Sequence, residues 1–349
     1  MKIEIVPFDP KTASREEWAW FHAYRRLRHE ETDPEDTLWS DRTEERWMKR
    51  LDPQSDELHF AVVRVGRPET MIGSLYFSVF REDSQTYEAR KQEARVSLAV
   101  LRPFRRQGIG RELLAKVAEL ARENDRTLIF GHSEEVDGKA FVRAVNAQVA
   151  QRTRESRLYL NQVDWQMIEQ WIEDGPLRSP DSTLHWHGDH IDEDIIEDYC
   201  RVLTDVVNQV PRDELNIGDT VITPETIRGW EERIAESGGT VIGVVTREPD
   251  GELSGLTEMG YFPDEKTMIH QFMTGVRDVC RGRGLGKWLK AAMLLRVREK
   301  FPQVEVVVTD NATSNAAMLS INERLGFRPH KEGVWAQITL EALEDYLRK

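Results

Sequence analysis

The sequence predicts an α/β protein of the α+β kind: two domains in tandem, each a mixed, mainly antiparallel central sheet flanked by helices. Three observations carry this. At 349 residues the chain exceeds the usual size of one domain. A glycine-bearing segment occurs twice, as Arg105-Arg106-Gln107-Gly108-Ile109-Gly110 and Arg281-Gly282-Arg283-Gly284-Leu285-Gly286, 176 positions apart. The same offset carries Val100 onto Val276, Ser133 onto Thr309, Ala140 onto Ala316 and Asn146 onto Asn322 without a gap, a register that duplication keeps and chance does not.

The elements repeat in order as well. Lys2 to Phe8 reads as a strand, Glu16 to His29 as an amphipathic helix and Glu44 to Leu51 as a shorter one. The apolar, β-branched or aromatic runs Leu58 to Val65, Met71 to Phe80 and Ala94 to Leu101 read as consecutive antiparallel strands. After the first glycine loop, Ile109, Leu113, Val117 and Leu120 keep helical spacing, Thr127 to Phe130 returns to a strand, Gly138 to Ala150 is helical, and Ser156 to Asn161 is placed to close the sheet. The second half gives helices at Asp192 to Asn208 and Pro224 to Glu236, then strands at Val241 to Arg247, Ser254 to Phe262 and Met268 to Val276. Leu285, Trp288, Leu289, Ala292 and Leu295 mark its helix after the loop, followed by strand Val304 to Thr309, helix Ser314 to Leu325 and a final strand Gly333 to Thr339. Gly and Pro in the stretch from Asp174 to Asp181 suggest a linker, so the expected division is 1–174, a linker 175–182, and 183–349.

Composition limits the function classes. With 39% hydrophobic and 32% charged residues the chain is of the soluble globular type, and no apolar run approaches the ~20 residues of a membrane span. The start MKIEIVPFDP lacks a signal-peptide pattern, which predicts a cytoplasmic protein. Cys200 and Cys280 are too few for a disulfide framework and are not clustered as a zinc site would be. The net charge of -14 argues against nucleic-acid binding and mildly favours cationic partners such as amines. His185, His187 and His190 lack a matching set of cysteine or carboxylate ligands, and no metal is expected. Trp18, Trp20, Trp39 and Trp47 read as core or cleft wall.

A strand that ends in a glycine turn and opens directly into a helix leaves several backbone N–H groups unpaired and aimed at one point, which favours an anion. Gly284 and Gly286 permit close approach, and Arg281 and Arg283 add charge. No G-x-x-x-x-G-K-[ST] is present, and the preceding strands form a meander, not βαβ, so neither a P-loop nor a Rossmann site fits. Val276 followed by the loop Arg281 to Gly286 resembles motif A of the GNAT N-acyltransferase family, and Thr309 to Phe327, with Asn315 and its Leu325-Gly326-Phe327 ending, resembles motif B. The resemblance covers nearly the whole chain. Its architecture is similar to the tandem GNAT proteins of high-GC Gram-positive bacteria, the group that includes mycothiol synthase, without an evident match to that enzyme.

The resemblance implies acetyl-CoA as cosubstrate, its pyrophosphate on the loop and its pantetheine arm between splayed fourth and fifth strands. The residues implied in binding are Gly275, Val276, Arg277, Arg281, Gly282, Arg283, Gly284, Leu285, Gly286, Lys287, Asn311 and Asn315. The N-terminal copy keeps Val100, Arg105, Arg106, Gly108 and Gly110. However, it has Val149-Ala150-Gln151 in place of Leu-Gly-Phe and Lys139 in place of Asn315, so it reads as a degenerate domain whose intact loop still offers CoA a site.

Acetyl transfer needs an unprotonated amine, and an alkylamine has a pKa near ~10, so a base is useful. His270, six residues before Val276 where relatives carry a glutamate, is one candidate, and Glu258 on the neighbouring strand is another. Either also reads as an ordinary strand residue. Asn322 stands four residues before Gly326, where the family often has a tyrosine that protonates the leaving thiolate, so that mechanism is not expected here. Asn322 remains a candidate to hydrogen-bond the thioester. Cys280 lacks a base arranged to activate it and reads as structural. The expected function is direct acetyl transfer to a primary amine of a small molecule. Alternatives are a non-catalytic acyl-CoA sensor and a peptide N-terminal acetyltransferase. Asp192, Glu193, Asp194, Glu197, Asp198, Glu225, Glu231 and Glu232 on the two helices after the first strand suggest a cationic acceptor, and read equally as a solvated face.

Overall fold

The computed structural model describes residues 2–50 and 52–349, with residues 68 and 69 described by their backbone only. Two compact units form: Met1–Gln151 with Glu214–Gly218 and Gly333–Lys349, and Arg152–Asp213 with Asp219–Glu332.

The first unit opens with β1 (Ile3–Pro7), α1 (Arg15–Thr32) and α2 (Asp41–Lys49). The expected end of α2 at Leu51 lies outside the described residues. Ser14 and Glu17 form a capping box on α1, and Ser40 caps α2. Strands β2 (Ser55–Arg64) and β3 (Arg67–Phe80), the short α3 (Tyr87–Arg90) and β4 (Glu93–Val100) lead to the glycine loop and α4 (Ile109–Glu123). Next come β5 (Leu128–Ser133), α5 (Val136–Ala144) and β6 (Gln148–Tyr159). The unit's sheet runs β1-β2-β3-β4-β5, antiparallel except for the parallel β4–β5 pair. Leu113, Val117 and Leu120 of α4 pack on one face against Val62, Leu75 and Phe77, and Trp18, Tyr24 and Met48 cover Ala61, Val63 and Met71 on the other. Trp18 is therefore a core residue, with its ring centroid 5.1 Å from that of Phe8.

The second unit contains α6 (Trp165–Arg178), β7 (Thr183–His187), α7 (Ile196–Asn208) and α8 (Pro224–Ser237). Strands β8 (Thr240–Arg247), β9 (Leu253–Tyr261) and β10 (Met268–Val276) form an antiparallel meander with β7. Then follow α9 (Leu285–Lys300), β11 (Val306–Ala312), α10 (Ala316–Leu325) and β12 (Arg328–Thr339), which from Gly333 onward belongs, with α11 (Leu340–Arg348), to the first unit. Leu289, Met293 and Val297 of α9 pack against Val244, Met259, Ile269 and Val307, while Tyr199, Val202 and Val206 of α7 pack against Val245 and Leu256.

Three expectations are corrected. The stretch from Asp174 to Asp181 is not a linker, because α6 continues through Pro176 to Arg178. Pro176 lies in the last turn and gives up one helix hydrogen bond there, and a side chain at Gly175 would strike the Trp288 ring at 2.3 Å, so this glycine serves close packing. The closing strands are also exchanged between the halves. The β6 residues Thr153 to Tyr159 pair with β11, and Val334 to Thr339 of β12 pair with β5. Each unit therefore takes its last strand from the other half of the sequence. Alternation of apolar and polar residues specifies which face of a strand is buried and does not name its neighbour. The helix expected at Gly138 to Ala150 ends at Ala144, because Gln148 onward already belongs to β6.

Candidate acyl-CoA site

In the second unit, β10 and β11 pair only from Met268 to His270. Beyond His270, β11 stays with β6 through Ala312, and β10 stays with β9 through Val276, so the two strands part and leave a wedge. An extra residue of β10 between Gln271 and Thr274 forms a bulge against β9 at the start of the wedge. On the open side of the wedge β10 ends at Val276, and the chain runs on through one short turn into the loop Arg281 to Gly284.

That loop has the expected geometry. Gly282 and Gly284 have φ of 80° and 86°, values that a side chain disfavours, and Gly284 is the N-cap of α9 without a side-chain cap. The first N–H groups of α9 are thus presented outward with the helix dipole behind them. Gly275 has a different purpose, since a Cβ there would meet Val206 at 2.2 Å.

The loop arginines are engaged by the protein itself. Arg277 binds Asp205 at 2.9 Å and Glu252 at 3.1 Å, Arg281 binds Asp278 at 2.6 Å and Gln209 at 2.7 Å, and Arg283 binds Glu248 at 2.9 Å and Ser182 at 2.7 Å. These side chains brace the loop. The positive charge around the first turn of α9 comes from Lys287 together with two residues that sequence reasoning missed, Arg178 of α6 and Arg324 of α10. Burial, then Arg324 and Arg178, lowers the Lys287 pKa below the usual lysine range. Arg178 also donates to the Gly282 carbonyl at 3.2 Å. No local motif signals these two arginines, because each is brought to the loop by helix packing.

Asn315 caps α10 by accepting from the Met318 N–H at 3.3 Å, which is a local structural role. Asn322 is 2% exposed and donates to Asn311 Oδ1 at 2.8 Å. His270 is the last residue of β10 paired with β11, and its Nε2 lies 2.8 Å from a Glu265 carboxylate oxygen. Gly260 pairs with His270, and Glu258 lies two residues along β9, so both candidate bases face the α7 and α8 side. Glu258 is partly buried with the Tyr199 hydroxyl beside it, and burial raises its pKa. Burial also raises the Cys280 pKa, and Cys200 is pushed up to about 12, so neither thiol is activated as a nucleophile. His185, His187 and His190 are separately engaged, by Thr183, the Gly188 carbonyl and Glu231.

The first unit repeats the same frame. Its β4–β5 pairing stops at Arg95, Gly108 has φ of 89°, and Arg106 takes φ of 61° where the other copy has Gly282. Its mouth differs. Arg105 binds Asp137 at 2.6 Å, Glu135 at 3.1 Å and Glu31 at 3.6 Å, and Arg28 also pairs with Glu135. Glu135 and Asp137 stand where the second copy has Asn311 and Thr313. Phe141 of α5 lies 3.0 Å from where a Gly110 Cβ would be. Carboxylates thus occupy the place beside this anion loop.

The acetyltransferase (GNAT) family model matches residues 19–136. No curated protein matches the sequence. A tandem GNAT protein from the clavulanic acid biosynthesis pathway has a similar structure, with 22% identity over 97% of this chain and 99% of that one and a TM-score of 0.76. A GCN5-related N-acetyltransferase from Sphaerobacter thermophilus is similar at 12% identity, 97% and 96% coverage and a TM-score of 0.61. Saccharomyces cerevisiae N-myristoyltransferase with bound myristoyl-CoA is similar at 11% identity, 96% and 78% coverage and a TM-score of 0.56. With the repeated splay and glycine loop, these likenesses give the chain the fold of tandem GNAT proteins, and its residues 19–136 match the acetyltransferase (GNAT) family model.

Proposed function

We propose that the second unit transfers an acetyl group from acetyl-CoA to a primary amine of a small molecule by direct attack of the amine on the thioester. The observation that carries this reading is the wedge between β10 and β11, which opens onto the uncapped start of α9 beside Lys287, Arg178 and Arg324. An uncapped helix start ringed by cations suits a pyrophosphate, and a strand edge without its neighbour suits an amide-bearing arm that bonds as a strand does. The similar yeast N-myristoyltransferase holds myristoyl-CoA, which supports an acyl-CoA for this fold.

The acceptor enters from the α7 and α8 side, where Glu258 and His270 lie. In the reaction the amine loses a proton to one of them, its nitrogen bonds to the carbonyl carbon, and the C–S bond breaks. The thiolate leaves without a strong acid, since a thiol has a pKa near ~8.5. Gly284→Asp tests the donor half of this reading, because it adds a strained φ and a negative charge where the pyrophosphate is placed. Calorimetry is expected to show acetyl-CoA affinity lower by at least about a hundredfold. Unchanged affinity in a folded variant means that the site is elsewhere.

A further inference from the structure

Lys290 of α9 is 1% exposed and sits in the second unit's interior, with no carboxylate paired to it among the described residues. Its ammonium donates to Asn322 Oδ1 at 2.7 Å, lies 4.0 Å from Met318 Sδ, and stands over the Phe327 ring at 5.2 Å. A buried charge is costly, so its presence calls for a reason. Packing is not that reason, because the same position in the first copy is Leu114, a buried member of that unit's core.

The direction of the hydrogen bonds supplies one. Lysine only donates, so Asn322 must turn its Oδ1 to Lys290 and its Nδ2 outward. That Nδ2 donates to Asn311 Oδ1 at 2.8 Å, which in turn leaves Asn311 Nδ2 as the donor end of the chain. Asn311 is a partly exposed residue of β11 beyond the point where β10 has parted from it. Each amide in such a chain polarises the next. The first copy has lost the chain: Leu114 replaces the lysine and Glu135 replaces Asn311.

We propose that Lys290 is a positioning residue of the donor site, which through Asn322 holds Asn311 with its Nδ2 hydrogens toward the wedge, where they donate to an amide carbonyl of the acyl-CoA arm. This rests on the acetyl-CoA reading of the same site. Loss of the donor from this end-to-end chain also explains why the two copies differ together at both positions.

The test is acetyl-CoA calorimetry on the full chain for wild type, Lys290→Met, Asn311→Ala and the double variant, with Gly284→Asp as a loop control. Each single variant is expected to bind about tenfold more weakly, and the double variant no more weakly than Asn311→Ala alone, because both break one chain. Lys290→Met is expected to melt no lower than wild type, which separates positioning from a structural role. Lys290→Leu, the residue of the first copy, provides a second variant. Losses that add independently, or an unchanged affinity in Lys290→Met and Lys290→Leu while Gly284→Asp abolishes binding, overturn the positioning role alone. Absence of binding by wild type, or insensitivity to Gly284→Asp, overturns the acetyl-CoA reading and this inference with it.

Discussion

Single residues decide the chemistry at this site, and two of them invite direct tests. His270 and Glu258 share the face of β10 and β9 toward α7, the proposed acceptor side, and burial raises the Glu258 pKa, which brings its carboxylate closer to the basicity a proton acceptor needs near neutral pH. Glu258→Gln is expected to lower kcat at least about tenfold with little change in acetyl-CoA affinity, and His270→Ala less, since Glu265 already holds that ring. Full activity in Glu258→Gln together with loss in His270→Ala returns the role to His270. Lys290 offers a test of stability. Burial lowers its pKa to about 7, whereas an unfolded lysine titrates near ~10.4. Between these values the unfolded state holds more protons, so this group destabilises the fold fully below pH 7, and the penalty fades as pH rises toward 10. Lys290→Met is therefore expected to be more stable than wild type by about 2 to 4 kcal/mol near pH 6, with the gap closing by pH 10 in denaturant titrations. A gap that stays constant with pH counts against a buried ammonium.

At the level of elements, the exchanged strands have consequences that contiguous domains lack. Val334 to Thr339 complete the sheet of the first unit beside β5, and Leu343 of α11 is fully buried in its core. Removing residues 333–349 thus leaves β5 as an open edge and exposes apolar surface in a unit built mainly from the start of the chain. Truncation after Glu332 is expected to accelerate hydrogen exchange in β5 and α4 at least as much as near the new C-terminus. Exchange that rises only near the cut opposes this assignment of strands. The helix start of α9, by contrast, was legible from the glycine spacing, because a positive-φ glycine before a helix is a local requirement that shows in the sequence, whereas the splayed strands were expected only from the family resemblance.

For the whole molecule, the formal charge of -14 sets the sign of its field. Several of the acidic residues expected to face an acceptor are already paired, Glu193 and Glu231 with Arg228 and Asp198 with Arg201, so the proposed preference for cationic amines rests on the sum of charges more than on these helices. kcat/KM for a polyamine is expected to fall several-fold between low and about 0.5 M salt, while that for a neutral amino alcohol stays level. A best acceptor that is anionic, or a rate for the polyamine that does not fall, goes against a cationic substrate. Among the described residues no helix is long and apolar enough to cross a membrane.

By itself the sequence determined the duplication, the class of fold, the glycine loop and the order of elements, since periodicity, capping and glycine placement are local properties that neighbouring residues write down. Tertiary structure alone decided three things: which copy of the last strand closes which sheet, that Arg178 and Arg324 join Lys287 at the loop while Arg277 and Arg283 are spent on Glu252 and Glu248, and that Lys290 reaches Asn322 from a different helix. These depend on contacts between residues far apart in the chain. Two near-equivalent strand ends and a helical lysine look the same in sequence whichever partner they meet, and only packing and the pairing of buried polar groups select among them.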